Sequence, residues 1–271
     1  MKAILITTLA VLLVIAAVGC AVNPATGEKQ LSLIGEEMEI QLGREAVPEV
    51  EARFGGVHPD YRINDYVARI GRSLAEVTER PHLPWTFKVV NSMDVNAFAL
   101  PGGFVYVTKG LLLEMDNEAQ LACVLGHEAG HITARHSVDQ LQKALGMQVL
   151  VAAVGAGTGS PDAEAVAKVV SALTQLKFSR DHEYQADELG VRYAVRDGYN
   201  PHGMIELLSI FLRLSPDSGG HIGDIFSAHP DTRKRIERVK GILDEKYPAV
   251  VDDPAYKINR AEYRAEVDRI R

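Results

Sequence analysis

Residues 117–145 read NEAQLACVLGHEAGHITARHSVDQLQKAL, and this stretch decides the fold. Strong helix formers dominate it, and Asp116 stands directly before it as a candidate N-cap. The sequence therefore predicts one long helix over these residues. His127 and His131 are four positions apart within it, so both imidazoles lie on the same helix face.

The pattern His-Glu-x-x-His at 127–131 is typical of zinc sites in which two histidines one helical turn apart bind the metal. Glu128 lies about 100° around the helix from His127. From there its carboxylate can take a proton from a metal-bound water without binding the metal itself. We therefore expect His127 and His131 to be zinc ligands and Glu128 to be the general base. Because the pentapeptide also occurs in proteins that bind no metal, the assignment needs a third ligand.

A catalytic zinc has a third protein ligand and an open fourth position. In the metzincin pattern a glycine and a third histidine follow at fixed spacings, but Ala134 and Ser137 stand at those positions here. His136 comes one residue too early for that pattern. We therefore expect His136 to have a structural role or to contact a ligand rather than the metal.

Two carboxylates on the next strong helix supply a better candidate. Glu183 and Asp187 are four residues apart, so they share one helix face. We expect Glu183 to be the third ligand and Asp187 to accept the second ring N–H of a ligand histidine, His127 in our interpretation. His182 is a rival ligand, but it points away from the face that Glu183 and Asp187 share.

Small residues support a close contact between these two helices. Ala186, Gly190 and Ala194 follow the face of Glu183, and Gly130 offers a small surface beside the histidines. A glycine inside a helix costs about 0.5–1 kcal/mol relative to alanine, which indicates a packing requirement at Gly130.

The remaining chain predicts a predominantly helical α+β domain. Apolar residues at three- and four-residue steps predict an amphipathic helix over 59–79. Residues 85–91 and 104–108 have the composition of strands, and we expect them to be joined through a Pro-Gly-Gly turn at 101–103. We expect an extended substrate to pair with an edge strand in the region 96–108. Residues 146–161 are glycine-rich and leave two alternatives open, a mobile flap or a buried helix end followed by a loop.

The first residues predict export. Lys2 precedes an uncharged apolar run over 3–18, and the run closes on Ala17-Val18-Gly19-Cys20, which resembles the lipobox of bacterial lipoproteins. We expect a signal peptide over 1–19, a lipid on Cys20, a tether over 20–35 and one domain over 36–271. An uncleaved membrane anchor is the alternative. With Cys20 acylated, Cys123 remains as a buried apolar thiol without a disulfide partner.

Composition narrows the class of partner. The hydrophobic fraction of 46% suits a packed core, and the formal net charge is -7 at pH 7 without a basic block. Because nucleic-acid binders carry basic patches, the chain is not expected to bind nucleic acid.

Several separate motifs can be compared with known families. They are His-Glu-Ala-Gly-His at 127–131, Ser179-Arg180-x-x-Glu183-x-x-Ala186-Asp187, Ser227-Ala228-His229-Pro230 with Arg235-Ile236, Asn23-Pro24-Ala25-Thr26-Gly27, residues 96–103, and Gly110-Leu111-Leu112. Together they resemble the HtpX-like and Oma-like (Ste-type) zinc metallopeptidase family. The resemblance covers nearly the whole chain after the leader and implies a gluzincin-type fold, one zinc on two histidines and a glutamate, and an endopeptidase that acts on proteins. The chain is most similar to the single-domain bacterial lipoprotein branch, because it shows no later apolar segment of spanning length.

These observations predict a zinc endopeptidase that cleaves misfolded or misassembled envelope proteins from the periplasmic face of the outer membrane. A zinc-bearing assembly factor or chaperone-like lipoprotein without proteolytic activity is the alternative, although retention of Glu128 argues against it. The resemblance also places His229 near the metal. There His229 either occupies the fourth position in a resting state, which we favour, or donates a hydrogen bond to the developing oxyanion.

Overall fold

Helices dominate the computed structural model, which describes residues 20–25, 27, 29–31, 34–155, 160–173, 175–214 and 231–271. The helices are α1 (Glu36–Arg53), α2 (Tyr61–Glu76), α3 (Lys109–Glu114), α4 (Glu118–Thr133), α5 (His136–Ala153), α6 (Ala163–Leu173), α7 (Arg180–Arg196), α8 (His202–Leu214), α9 (Thr232–Lys246) and α10 (Arg260–Val267). The strands are β1 (Cys20–Val22), β2 (Lys29–Leu31), β3 (Thr86–Val90), β4 (Ala97–Leu100) and β5 (Phe104–Thr108). The predicted class, predominantly helical α+β, is confirmed.

The three-stranded sheet has the order β3-β5-β4. β5 is central and buried along its whole length, with β3 parallel to it and β4 antiparallel. The sequence predicted that residues 85–91 and 104–108 are joined through the turn at 101–103, and this was wrong. The turn joins β4 to β5, because Gly102 (φ +82°) and Gly103 (φ +110°) adopt left-handed conformations that reverse the chain between antiparallel neighbours.

The predicted long helix over 117–145 is two helices. α4 ends at Thr133, and Arg135 adopts a left-handed conformation with φ 59° before α5 begins. Tertiary bonds stabilise this break, because Arg135 Nε donates to Glu39 Oε2 at 2.9 Å and Arg135 Nη2 donates to the carbonyl of Ile34 at 2.5 Å. The N-cap is also different from the predicted Asp116, since the side chain of Asn117 accepts the backbone N–H of Gln120 at 3.0 Å.

A second apolar cluster lies between α1, α5 and α6, apart from the main core. It includes Leu42, Leu141, Leu150 and Val169. α5 is kinked at Gly146, where φ is +70°. The helix then continues to Ala153. Of the two alternatives predicted for 146–161, the described part therefore matches the helix end. Residues 156–159 lie outside the described part of the chain.

Other predictions from local pattern agree with the structure. The amphipathic helix over 59–79 corresponds to α2, whose N-cap Asp60 accepts the N–H of Arg62 at 2.7 Å. Cys123 is buried inside α4, and burial raises the pKa of its thiol. Among the described helices, none has the length and hydropathy needed to cross a membrane.

The segment after Cys20 is packed on the domain. β1 and β2 form an antiparallel hairpin, and the amide of Asn23 donates to the carbonyl of Ala134 at 3.2 Å. The side-chain oxygen of Asn23 also accepts the N–H of Ala25 at 2.9 Å. The backbone carbonyl of Asn23 accepts the N–H of Gly27 at 2.8 Å. The leader over 1–19 lies outside the described residues, so its processing and the domain boundaries stay predictions.

Candidate active site

The site lies where α4 and α7 approach each other closely. A Cβ added to Gly130 would lie 3.1 Å from Leu189 Cβ and 3.3 Å from Ala186 Cα. A Cβ added to Gly190 would lie 2.9 Å from the backbone nitrogen of His127. The close packing that the sequence predicted between Gly130 and the face of Ala186 and Gly190 is confirmed. It allows the side chains of two different helices to converge on one point.

Three candidate ligand side chains meet there. His127 Nε2 lies 3.1 Å from His131 Nε2, and the Glu183 carboxylate oxygens lie 3.7 Å from His127 Nε2 and 3.4 Å from His131 Nε2. All three residues are buried. A tetrahedral zinc with bonds of about 2.0–2.1 Å would separate its donor atoms by about 3.3 Å, so the three donor groups fit this metal. Among the described residues, His127, His131 and Glu183 are the histidine, cysteine or carboxylate side chains whose donor atoms lie close enough together to hold a metal ion.

The second nitrogen of each histidine lies beside a group that can set its tautomer. His127 Nδ1 lies 2.9 Å from Asp187 Oδ1, so the carboxylate that we expect to accept its N–H is within reach. His131 Nδ1 lies 3.0 Å from His136 Nδ1, and His136 Nε2 lies 2.7 Å from Gln185 Oε1. Because the amide oxygen of Gln185 can only accept, His136 donates through Nε2 and accepts the Nδ1–H of His131. Nε2 of both candidate ligands is thereby left with its lone pair towards the metal position.

The pKa values of the two inner histidines support these neutral tautomers. Burial holds the pKa of His131 well below its ordinary value, although the Glu183 carboxylate opposes this effect. Burial also lowers the pKa of His136 to about 3. Both imidazoles are therefore neutral near pH 7, which is the form that binds a metal or accepts a hydrogen bond.

Arg235 is a site residue that the sequence reasoning missed. Its guanidinium donates to both oxygens of Asp187, at 2.7 and 2.6 Å, and Nη1 lies 2.7 Å from Glu183 Oε2. Burial alone would raise the pKa of Asp187, but Arg235 and then His127 lower it below its usual value. Arg235 thus keeps the Asp187 carboxylate ionised and holds both buried carboxylates in place. The available signal was the Arg235-Ile236 pair of the family resemblance, which gave no reason to connect α9 with Glu183.

Glu128 lines a cleft beside β4, which is an outer strand of the described sheet. Asn96 pairs with β5 through its carbonyl, which accepts the N–H of Thr108 at 3.0 Å. Ladder bonds in an antiparallel pair alternate, so Ala97 and Ala99 direct their backbone groups towards the open edge of the described sheet. Ala97 and Ala99 line the cleft together with Glu128. An extended peptide can therefore pair with β4 beside the carboxylate that we expect to be the general base.

Four other described histidines are not among the side chains whose donor atoms meet at this point. His182 stacks on His136 with ring centroids 4.2 Å apart. His58 is buried and its Nδ1 accepts the N–H of Asp60 at 3.2 Å. His82 contacts Glu36, and His202 lies near Glu206. The predicted role of His229 concerns a residue in the segment 215–230, outside the part of the chain that the structure describes.

This fold, with a His-Glu-x-x-His helix and a glutamate on a second helix, defines a metal-dependent peptidase. Residues 62–243 match the model of peptidase family M48. The chain belongs to this family, and it is a metalloprotease.

Named relatives agree with the family. The chain is 27% identical over 228 residues to the mitochondrial metalloendopeptidase OMA1 of Schizosaccharomyces pombe, covering 82% of this chain and 66% of the relative. It is 26% identical over 238 residues to the beta-barrel assembly-enhancing protease of Escherichia coli, covering 84% and 48%. It is 28% identical over 160 residues to the metalloprotease YcaL of Escherichia coli, covering 58% and 61%. Thus the chain spans between about half and two thirds of the length of these three relatives.

Proposed function

We propose that this metalloprotease is a zinc endopeptidase that cleaves misfolded or misassembled proteins of the cell envelope. The observation that carries the proposal is the convergence of His127, His131 and Glu183 beside Glu128 and an open strand edge. The donor set of two imidazoles and one carboxylate is typical of catalytic zinc sites. Binding through a strand edge engages the main chain of a substrate rather than its terminus, which favours internal cleavage.

In the proposed mechanism, each side chain of the site has a separate role. Zinc, when bound, would polarise the scissile carbonyl and make a coordinated water more acidic. Glu128 takes the proton of the attacking water on its carboxylate and returns it to the leaving amine. β4 holds the substrate extended, while Asp187 and Arg235 keep the ligands in position. His229 in our proposal occupies the fourth position in a resting state, and an oxyanion-binding role is the alternative.

We also propose that a lipid on Cys20 anchors the domain at the periplasmic face of a bacterial outer membrane. The lipobox-like ending of the leader supports this location, and a relative in Escherichia coli is named for enhancing β-barrel assembly. Asn23 is bound to the end of α4 at Ala134. Since three residues span at most about 10 Å, a lipid on Cys20 would hold the catalytic helix close to the bilayer surface.

Metal analysis and digestion of an unfolded envelope protein test the proposal together. The wild type should carry about one zinc per chain and cleave the substrate internally. Glu128→Gln should retain the zinc and lose turnover, because an amide cannot accept the proton. Glu188→Gln, on the outer face of α7 where it contacts Lys246, is the matched control and should cleave normally. Zinc-loaded wild type that cleaves no unfolded protein, or proteolysis that survives in Glu128→Gln, would refute the proposal.

A further inference from the structure

The cleft beside Glu128 has an apolar wall that catalysis does not explain. Its lining comes from the end of α1, from β4, from α4 and from the segment that joins α6 to α7. The lining residues are Val50, Phe54, Asn96, Ala97, Phe98, Ala99, Leu100, Glu128, Leu173, Leu176 and Phe178. Asn96 and Glu128 are the polar members of this set, so the cleft offers one carboxylate next to a large apolar surface.

Aromatic rings give this wall a fixed shape. The rings of Phe54 and Phe98 stack with centroids 4.5 Å apart, and Phe98 stacks in turn on Tyr106 of the central strand at 5.1 Å. At the other end, the ring of Phe178 lies 4.0 Å from that of His131. The apolar surface therefore begins at a candidate metal ligand and continues along β4.

The strand edge determines which substrate side chains reach this wall. Along β4, Ala97 packs into the main core, whereas Phe98 and Leu100 pack with the cluster of α1 and α6. Side chains of a strand alternate between the two faces of a sheet, so a peptide paired with β4 directs every second side chain to the face of Phe98. Because Phe98 and Glu128 line the same cleft, the peptide position nearest to Glu128 on this face would lie beside the scissile bond.

We propose that this cleft is a subsite for one large apolar side chain, Leu, Met or Phe in size and character, next to the scissile bond. The inference rests on the proposed endopeptidase function for its position relative to the cleavage point, although binding alone can test the subsite. Folded proteins bury most side chains of this kind. The subsite therefore selects unfolded segments, in which such a side chain and an extended main chain are accessible together.

Binding to the Glu128→Gln variant tests the subsite without turnover. Two fluorescent peptides of Gly, Ser and Thr residues are compared, one with a central Phe and one with Ser in its place. Burial of the Phe ring should make its peptide bind about 10- to 100-fold more tightly. In the Glu128→Gln background, Leu176→Asp should abolish the difference, because it places a charge in the apolar wall. The neighbouring Gln175→Asp adds the same charge outside the cleft lining and should keep the difference.

Leu176→Trp, in the same background, guards against a folding defect in the charged variant. It fills the cleft with apolar atoms, so it should weaken binding of the Phe peptide while a Val peptide still binds more tightly than the Ser peptide. Equal affinity of the Phe and Ser peptides for the Glu128→Gln protein would overturn the subsite.

Mapping of cleavage sites separates this inference from the proposed function. The zinc-loaded wild type digests an unfolded protein, and mass spectrometry identifies the cleaved bonds. Enrichment of Leu, Met and Phe at one position next to those bonds supports the subsite. Proteolysis without enrichment at any flanking position would refute the subsite and leave the endopeptidase function standing. Apolar preference in binding without any proteolysis would support the subsite and refute the endopeptidase function.

Discussion

Arg235→Met should destabilise the metal-free protein strongly. The guanidinium of Arg235 makes two bonds to Asp187 and one contact to Glu183, and all three side chains are at most 3% exposed. Methionine keeps much of the volume but leaves two buried carboxylates without their cation. Removal of one partner from a buried ion pair costs about 3–5 kcal/mol, and the free energy of unfolding should fall by this amount.

Urea unfolding of the metal-free protein measures the effect. With a slope of about 3 kcal/mol per molar, the midpoint should fall by about 1–2 M. Arg196→Met is the control, because Arg196 makes a half-exposed pair with Glu79 that contributes at most about 1 kcal/mol. Adding Asp187→Asn to Arg235→Met should recover part of the loss, since it removes one uncompensated charge. A loss for Arg235→Met no larger than that for the Arg196 control, or no recovery in the double variant, would refute the reasoning.

Four further changes test the site and the anchor. Glu183→Ala should abolish zinc binding measured by metal analysis, and full zinc content would move the third ligand to another residue such as His182. Gly190→Ala should lower zinc affinity at least tenfold in a chelator competition, because its Cβ would lie 2.9 Å from the backbone nitrogen of His127. Cys20→Ser should block lipid labelling and leave an unprocessed or soluble form, whereas unchanged membrane fractionation with the leader intact would favour an uncleaved anchor. His229→Ala should raise basal proteolysis, and a zinc-loaded but nearly inactive variant would instead support the oxyanion-binding role.

Features that depend on the spacing of residues within a single helix could be predicted from the sequence. The spacing of His127 and His131 fixes their common face once α4 is a helix, and the same argument places Glu183 with Asp187 on α7. The small residues at Gly130 and Gly190 indicated that these two helices touch. The joint position of His127, His131, Glu183 and Asp187 follows from these two facts, so the sequence could indicate this candidate metal site.

Features that depend on distant partners could not be predicted in this way. The break at Arg135 needs a left-handed arginine, which local propensity disfavours and which bonds to Glu39 and Ile34 stabilise. The break turns His136 back towards His131, so its role as a hydrogen-bond partner depends on it. Arg235 reaches the site from α9, and its sequence surroundings are those of an ordinary surface helix. The order of the sheet likewise depends on pairing between strands rather than on their composition.

The candidate metal site and the apolar wall of the cleft are held by different groups of packed residues. The candidate ligands are held by the α4–α7 contact at Gly130 and Gly190 and by the buried ion pairs of Arg235, next to the main core. The part of the wall formed by α6 and β4 belongs to clusters shared with α1 and α5. Smaller clusters open at lower free energy than the main core. We therefore expect the cleft to widen for different substrate side chains while the three donor atoms keep their separations, as the proposed cleavage of unfolded proteins at one catalytic centre requires.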